Sequence, residues 1–281
     1  MLPEVVYTPR SSESWRTLGP ALVRDLASSR DLAWRLLVRD IRAQYRQSVL
    51  GYLWALLPPI LLAASLTLAS RASILTIEDL DVPYPLFVLI GTVLWQTFAE
   101  AISGPLAALT AAKPLLARIR FPYEAIVLAK LGEVLFNLGL KVLLVAGALI
   151  YYQIEVGPWL LMAPLAIGVL ILLGTGLGLL LAPLGGLYED VSRALPLLLG
   201  LWFLLTPVVY QSPAAGSFVE WMNFLNPATA PLVIAREALT TGAATQLFEF
   251  GVVNLLTLPL LLVGWCFYRF SMPFVIERIS A

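Results

Sequence analysis

Two runs of polar side chains interrupt otherwise apolar stretches at helical spacing. Glu133, Asn137 and Lys141 recur at i, i+4 and i+8, as do Thr92, Gln96 and Glu100. Each trio therefore shares one face of a helix. Acid, amide and amine groups so placed can pair ionically, relay protons or touch a polar solute. Other chemistry is thin. The 281 residues contain no His, which removes imidazole metal ligation, a His general base and the Ser-His-Asp triad. A single cysteine, Cys266, rules out an internal disulfide and a Cys-rich zinc site. No Gly-x-x-x-x-Gly-Lys-Ser/Thr run occurs, so the chain carries no P-loop of its own, and neither a metal nor a cofactor is expected on it. A gradient-driven relay would place acids in the middle of several spans and show internal repeats, and neither is clear here. The reading that remains is a buried ion pair: Glu100 with Lys141 or Lys130, and Glu133 nearby, fixing the register of two neighbouring helices.

The elements that position these groups must lie in lipid. Hydrophobic residues make up 59% of the chain and charged ones 13%, about half the usual quarter. A soluble globule could not cover that much apolar surface. Crossing a hydrocarbon core of about 30 Å takes about 20 apolar residues. Six stretches come close: Val49–Ser70, Pro85–Ala107, Leu131–Tyr152, Trp159–Ala182, Ala194–Tyr210 and Leu247–Phe270. No cleavable signal peptide precedes them, because the first 45 residues are polar and Arg-rich.

Orientation follows from the basic residues. Arg10, Arg16, Arg24, Arg30, Arg35, Arg39, Arg42 and Arg46 precede the first span; Lys113, Arg118, Arg120 and Lys130 lie between the second and third. With Arg193, Arg269 and Arg278 that places fifteen on one side, against Arg71 and Arg236 on the other. Both termini are thus expected on the cytoplasmic side of an all-α membrane protein with six transmembrane helices. Residues 1–48 form a cytoplasmic arm and residues 49–281 the membrane domain. Glu78, Asp79 and Asp81 make the first outer loop acidic. In the long third one, about residues 215–242, Phe218, Val219, Met222 and Leu225 recur at helical spacing. Asn226-Pro227 then breaks the run, and a second helical piece ends at Gly242. Two short re-entrant helices are expected there, since irregular backbone at that depth must be buried in protein.

From Asp31 to Arg46 the arm is amphipathic. Trp34, Leu37, Val38, Ile41 and Tyr45 share one face, and Arg35, Arg39, Arg42 and Arg46 another. Such a helix lies in the headgroup plane, drawn by anionic membrane lipids. Arg39, Arg42 and Arg46 are also candidates for meeting an anionic substrate headgroup. A near-zero net charge gives no reason to expect nucleic acid. Gly174-Thr175-Gly176-Leu177-Gly178 contains a Gly-x-x-x-Gly for close helix packing, and kinks are expected at Pro58-Pro59, Pro183 and Pro207.

The arm runs into Arg39-Asp40-Ile41-Arg42-Ala43-Gln44-Tyr45-Arg46-Gln47-Ser48-Val49-Leu50-Gly51-Tyr52-Leu53-Trp54-Ala55-Leu56-Leu57-Pro58. This resembles the opening of the type-2 ABC export permeases that move bacterial surface polysaccharides. Leu187-Tyr188-Glu189-Asp190-Val191-Ser192-Arg193-Ala194-Leu195-Pro196, then Leu201-Trp202-Phe203-Leu204-Leu205-Thr206-Pro207-Val208-Val209-Tyr210, is a second resemblance. Leu225-Asn226-Pro227 with Arg236-Glu237-Ala238-Leu239 is a third. Order and spacing hold over nearly all the chain after residue 30. The Thr-Pro-Val-Val-Tyr ending is closer to O-antigen and teichoic-acid exporters than to capsule or drug exporters. Glu189 departs from the pattern, where a basic residue is more usual.

The resemblance implies a homodimer with two copies of a separate ABC ATPase subunit, which binds the ATP and Mg. It implies as cargo a glycan on a lipid carrier, commonly undecaprenyl diphosphate, and as location the bacterial inner membrane. The loop at about residues 113–124 would carry a coupling helix seated in the ATPase, through Arg118, Arg120, Phe121, Pro122 and Tyr123. Aromatic faces suit pyranose rings, which makes Tyr52, Trp54, Trp95, Trp202 and Phe203 candidates for a glycan pathway. The chain is then a transport subunit and not an enzyme. A membrane-embedded transferase and a gradient-driven transporter remain as alternatives.

Overall fold

A computed structural model describes residues 15–46, 48, 50–72, 80–116, 122–155, 157–211 and 218–280. Nine α-helices occur among them: α1 Trp15–Tyr45, α2 Leu57–Arg71, α3 Tyr84–Leu116, α4 Glu124–Tyr151, α5 Met162–Leu187, α6 Glu189–Leu205, α7 Phe218–Leu225, α8 Thr229–Leu239 and α9 Leu247–Ser280. Short 3-10 turns at Gly51–Ala55 and Pro158–Leu161 lead into α2 and α5. No strand occurs among the described residues. The expected Glu78 and Asp79 lie outside them.

Four helices are long and apolar enough to cross a bilayer, over Tyr84–Pro114, Glu124–Tyr151, Pro158–Leu187 and Leu247–Arg278. They correspond to the second, third, fourth and sixth expected spans. The first and fifth are shorter as helices. With 15 residues α2 reaches about 22 Å, and with 17 residues α6 reaches about 26 Å. The boundaries differ for a physical reason. Apolar patterning stops where a helix leaves lipid, whereas helical hydrogen bonding continues, so α3 and α9 run to 33 and 34 residues.

The core centres on α3, which packs along α5, and α5 packs in turn on α9. Glycine makes these approaches possible. A Cβ on Gly174 would meet Ala101 and Phe98 of α3, and one on Gly178 would press on the carbonyls of Ala101 and Ile102. On the other side of α5, Gly176 lies against Leu261, and its carbonyl faces Gly264 of α9. The Gly-x-x-x-Gly pattern thus packs helices, as its position in a span requires.

Prolines fall differently from expectation. Pro58 and Pro59 sit in the first turn of α2, where a missing N–H costs nothing, so they start the helix and do not kink it. Pro207 follows the end of α6. Pro183 lies inside α5 as expected, and Pro105, Pro114, Pro196, Pro259 and Pro273 also lie inside helices.

Among the described residues of the arm, a helix covers Trp15–Tyr45, running for sixteen residues before the amphipathic stretch. Its packed face is Ala33, Leu36 and Leu37, set on Ala125 and Ala129 of α4, with Leu37 over Gly132. Trp34 is not on that face and is 65% exposed. The helix therefore has three faces: one against α4, one apolar and outward through Trp34, Val38 and Ile41, and one of arginines. Gly51, with φ +50°, turns the chain out of the arm, and its N–H donates to Ser48 Oγ at 3.0 Å. Only glycine takes that φ cheaply.

Candidate functional site

The polar faces of α3 and α4 meet. Lys141 Nζ donates to Glu100 Oε1 at 2.5 Å, and Asn137 Nδ2 donates to Glu100 Oε2 at 3.3 Å. Lys141 is 1% exposed although it sits in an apolar helix. Glu100 thus lies against Lys141 and not against Lys130, which pairs with Glu133 at 2.8 Å and covers Gly104 of α3. Two acids and two amines balance along this seam, which keeps a lone charge out of a low-dielectric interior.

On the same line of α3, Thr92 and Gln96 line a pocket of about 220 Å³ with Trp95. Leu62 of α2 and Leu199, Gly200 and Phe203 of α6 complete its lining. Trp95 stands edge-on to Phe98, Trp202 and Phe203, with centroids 5.5, 6.1 and 5.8 Å apart. Three of the aromatic candidates therefore form one cluster between α3 and α6. Tyr52 and Trp54 are elsewhere, exposed on the 3-10 turn before α2, with Tyr52 edge-on to Phe136 at 5.6 Å.

Beyond α6 the backbone leaves the helix and is held by side chains from three elements. Arg236 of α8 donates from Nη1 to the carbonyls of Pro207 and Val208 at 2.9 and 3.3 Å, and stacks 3.8 Å from the Phe87 ring centroid. Tyr84 of α3 donates to Val209 O at 3.3 Å. Asn226 accepts from Trp202 Nε1 at 2.9 Å and donates to Thr206 Oγ1 at 2.8 Å. Gly91 lets Val208 lie directly on α3, where any Cβ would clash with its carbonyl. Arg236, Asn226, Thr206, Tyr84 and Gly91 were not singled out as site residues in the sequence. The available signal was the recurrence of Thr-Pro, Asn-Pro and Arg-Glu as family-like pieces, which turn out to touch one another.

Toward the other end, Pro122 and Tyr123 precede α4, while Arg118, Arg120 and Phe121 lie outside the described residues. Lys113 belongs to the last turn of α3. Tyr268 of α9 donates to Tyr123 O at 3.4 Å, and Arg269 approaches Glu124 at 3.7 Å. Glu189 pairs with Arg193 at 3.0 Å one turn along α6, with both exposed; that supplies its charge partner. Arg39 pairs with Asp40 at 2.8 Å, and Arg42 and Arg46 are exposed. Among the described residues no three His, Cys, Asp or Glu side chains gather as a metal ion needs.

A bundle of long apolar helices around a compensated charge seam is the build of an integral membrane protein. Residues 31–240 match the model of the ABC-2 type transporter family, and the chain belongs to that family. It is 29% identical over 214 residues to the O-antigen export system permease protein RfbA of Myxococcus xanthus, covering 72% of this chain and 78% of that one. An RfbA of Klebsiella pneumoniae is 27% identical over 207 residues, 73% and 78% of the two chains. The polysialic acid transport protein KpsM of Escherichia coli is 26% identical over 243 residues, 83% and 91%.

Proposed function

We propose that this chain is the permease subunit of an ATP-driven exporter that carries lipid-linked surface polysaccharide out through the bacterial inner membrane. The observation that carries this reading is the family match over residues 31–240, with relatives named for O-antigen export. The site agrees in its chemistry. Thr92 and Gln96 offer hydrogen-bonding edges and Trp95 and Phe203 apolar faces in one pocket, the mixture a pyranose presents in return.

Six crossings complete the topology. Here α2 with its preceding 3-10 turn, and α6 with the clasped segment after it, supply the first and fifth spans. Both termini are cytoplasmic, as the arginine bias requires, and α7 and α8 are the re-entrant pair before the last span. Residues 1–48 form the interfacial arm. Its Arg39, Arg42 and Arg46 draw in the carrier's diphosphate, of the undecaprenyl type, and Tyr52 and Trp54 on the turn beyond meet the first sugars. The loop through Arg118, Arg120, Phe121, Pro122 and Tyr123 seats in the ATPase, which brings the ATP and Mg. Two copies of each subunit make the working machine. The Tyr268 and Glu124 contacts give this loop a firm base on α9.

Native mass spectrometry of the complex extracted from its host tests the reading directly. Two copies of this chain with two of a P-loop ATPase are expected, together with retained glycolipid. A stable assembly without an ATPase, exporting in vesicles only while an ion gradient stands, would replace it with a gradient-driven transporter.

A further inference from the structure

Helix α6 is held unevenly along its length. Of its 17 residues only Leu195 and Leu199 are fully buried. At its start it hangs from α5 by the single extended residue Tyr188, and its first-turn pair Glu189–Arg193 is exposed. Its far end is fixed by directional bonds. Thr206 has extended geometry, with φ −101° and ψ 138°, and Pro207 has no N–H to give. The carbonyls that follow would go unpaired in lipid at a cost of several kcal/mol each. Arg236 and Tyr84 meet this demand, and Asn226 adds a bond to the Thr206 hydroxyl. The helix that brings Arg236 is itself set in the core: nine of the eleven residues of α8 are buried. Arg236 donates to both carbonyls from Nη1 while its flat guanidinium stacks on the Phe87 ring, and that stacking is what an ammonium cannot copy.

We propose that Arg236 and Asn226 form a fixed pivot from which α6 hangs, so that the pocket wall of Leu199, Gly200 and Phe203 opens by swinging about its outer end. Arg236 is thus a positioning residue for transport. The inference rests on the permease reading for its transport readout only. Between Tyr188 and Thr206 α6 buries only Leu195 and Leu199, so the directional bonds at its outer end, more than packing, set where the wall stands. Trp202 carries the constraint inward: its Nε1 is tied to Asn226 while its ring bears on Trp95 and Phe98. Phe203, next in the chain, is the pocket wall itself.

Gly200 provides the probe, since a Cβ there meets nothing within 4 Å. In the assembled complex carrying Cys266→Ser and Gly200→Cys, the rate of maleimide labelling without nucleotide reports how closed the wall is. Arg236→Met is expected to raise that rate and lower export by about tenfold each, the change that ~1.4 kcal/mol brings to an equilibrium. Arg236→Lys, which keeps the charge, should rescue neither fully. Thr206→Val removes only the hydroxyl that Asn226 holds, and it serves if Arg236→Met does not assemble; a smaller rise of the same sign is expected. Labelling and export both within twofold of the parent overturn the proposal. So does a lowered melting temperature with unchanged labelling, because that is the mark of a stabilising contact alone. Faster labelling in a complex whose parent exports no glycan upholds the pivot and defeats the assigned cargo.

Discussion

At the scale of single residues, Glu100 and Lys141 pair between α3 and α4 in an interior where a lone lysine charge would be costly. The i, i+4, i+8 spacing of Glu133, Asn137 and Lys141 was visible because one helix carries it. The choice of Lys141 over Lys130 was not, since it depends on how far α3 slides along α4. Arg236 and Thr206 show the same limit more strongly: they belong to one cluster but stand 30 positions apart in the chain, and nothing local in either run requires the other. The seam makes a definite prediction. Removing one partner of a buried pair costs about 3–5 kcal/mol, less here because the Glu100 side chain is 35% exposed. Lys141→Met and Glu100→Gln should each lower the melting temperature in detergent, Glu100→Gln the more, since it strands a lysine whose side chain is 2% exposed, whereas the acid left by Lys141→Met is partly exposed and keeps its bond from Asn137. Exchanging the two, Glu100→Lys with Lys141→Glu, should recover most of the loss. Melting curves of the four proteins decide it, and no recovery in the exchange would show that the residues act separately.

Among elements, glycine fixes how near the helices come. Hydropathy located α3, α5 and α9 but carries no information about which pairs touch; the Gly174–Gly178 pattern did, by marking a face too bare to be lipid-exposed for no reason. Gly178→Val should overpack the α3–α5 contact and cost about 1–3 kcal/mol, because its neighbours are the carbonyls of Ala101 and Ile102, which have nowhere to move. Gly168→Ala in the same helix meets nothing within 4 Å and should leave stability unchanged or raise it by about 0.5–1 kcal/mol. The same thermal assay separates them, and equal effects would remove close packing as the explanation. The helix ends were least legible. In the arm, helix is described from Trp15 on, well ahead of the amphipathic stretch, because backbone hydrogen bonding propagates along a helix whether or not its side chains are patterned.

For the whole molecule, the proposed orientation rests on the distribution of arginine and lysine, which no single helix reveals. The proposed six crossings, with both termini inside, would place Glu155 outside and Arg193 inside. In a Cys266→Ser background, Glu155→Cys should react with a membrane-impermeant maleimide in intact cells, and Arg193→Cys only after permeabilisation. Reaction of both in intact cells would mean that the chain crosses a different number of times between them. The proposed topology leans most on the two short helices, since the 15 residues of α2 and the 17 of α6 would reach across only with the turns attached to them. Composition alone could not display that dependence.

The buried pair of Glu100 and Lys141 also bears on how the chain enters the membrane during synthesis. A lysine at mid-helix is disfavoured by about 2.5–3.5 kcal/mol when a segment partitions into lipid alone, and α4 carries Lys130 and Glu133 as well. The first partner made is α3, and only residues 117–123 separate the two helices. The nascent α3 therefore has reason to linger beside the insertion machinery until α4 follows, and the two settle into lipid as a ready-made hairpin whose charges have already met.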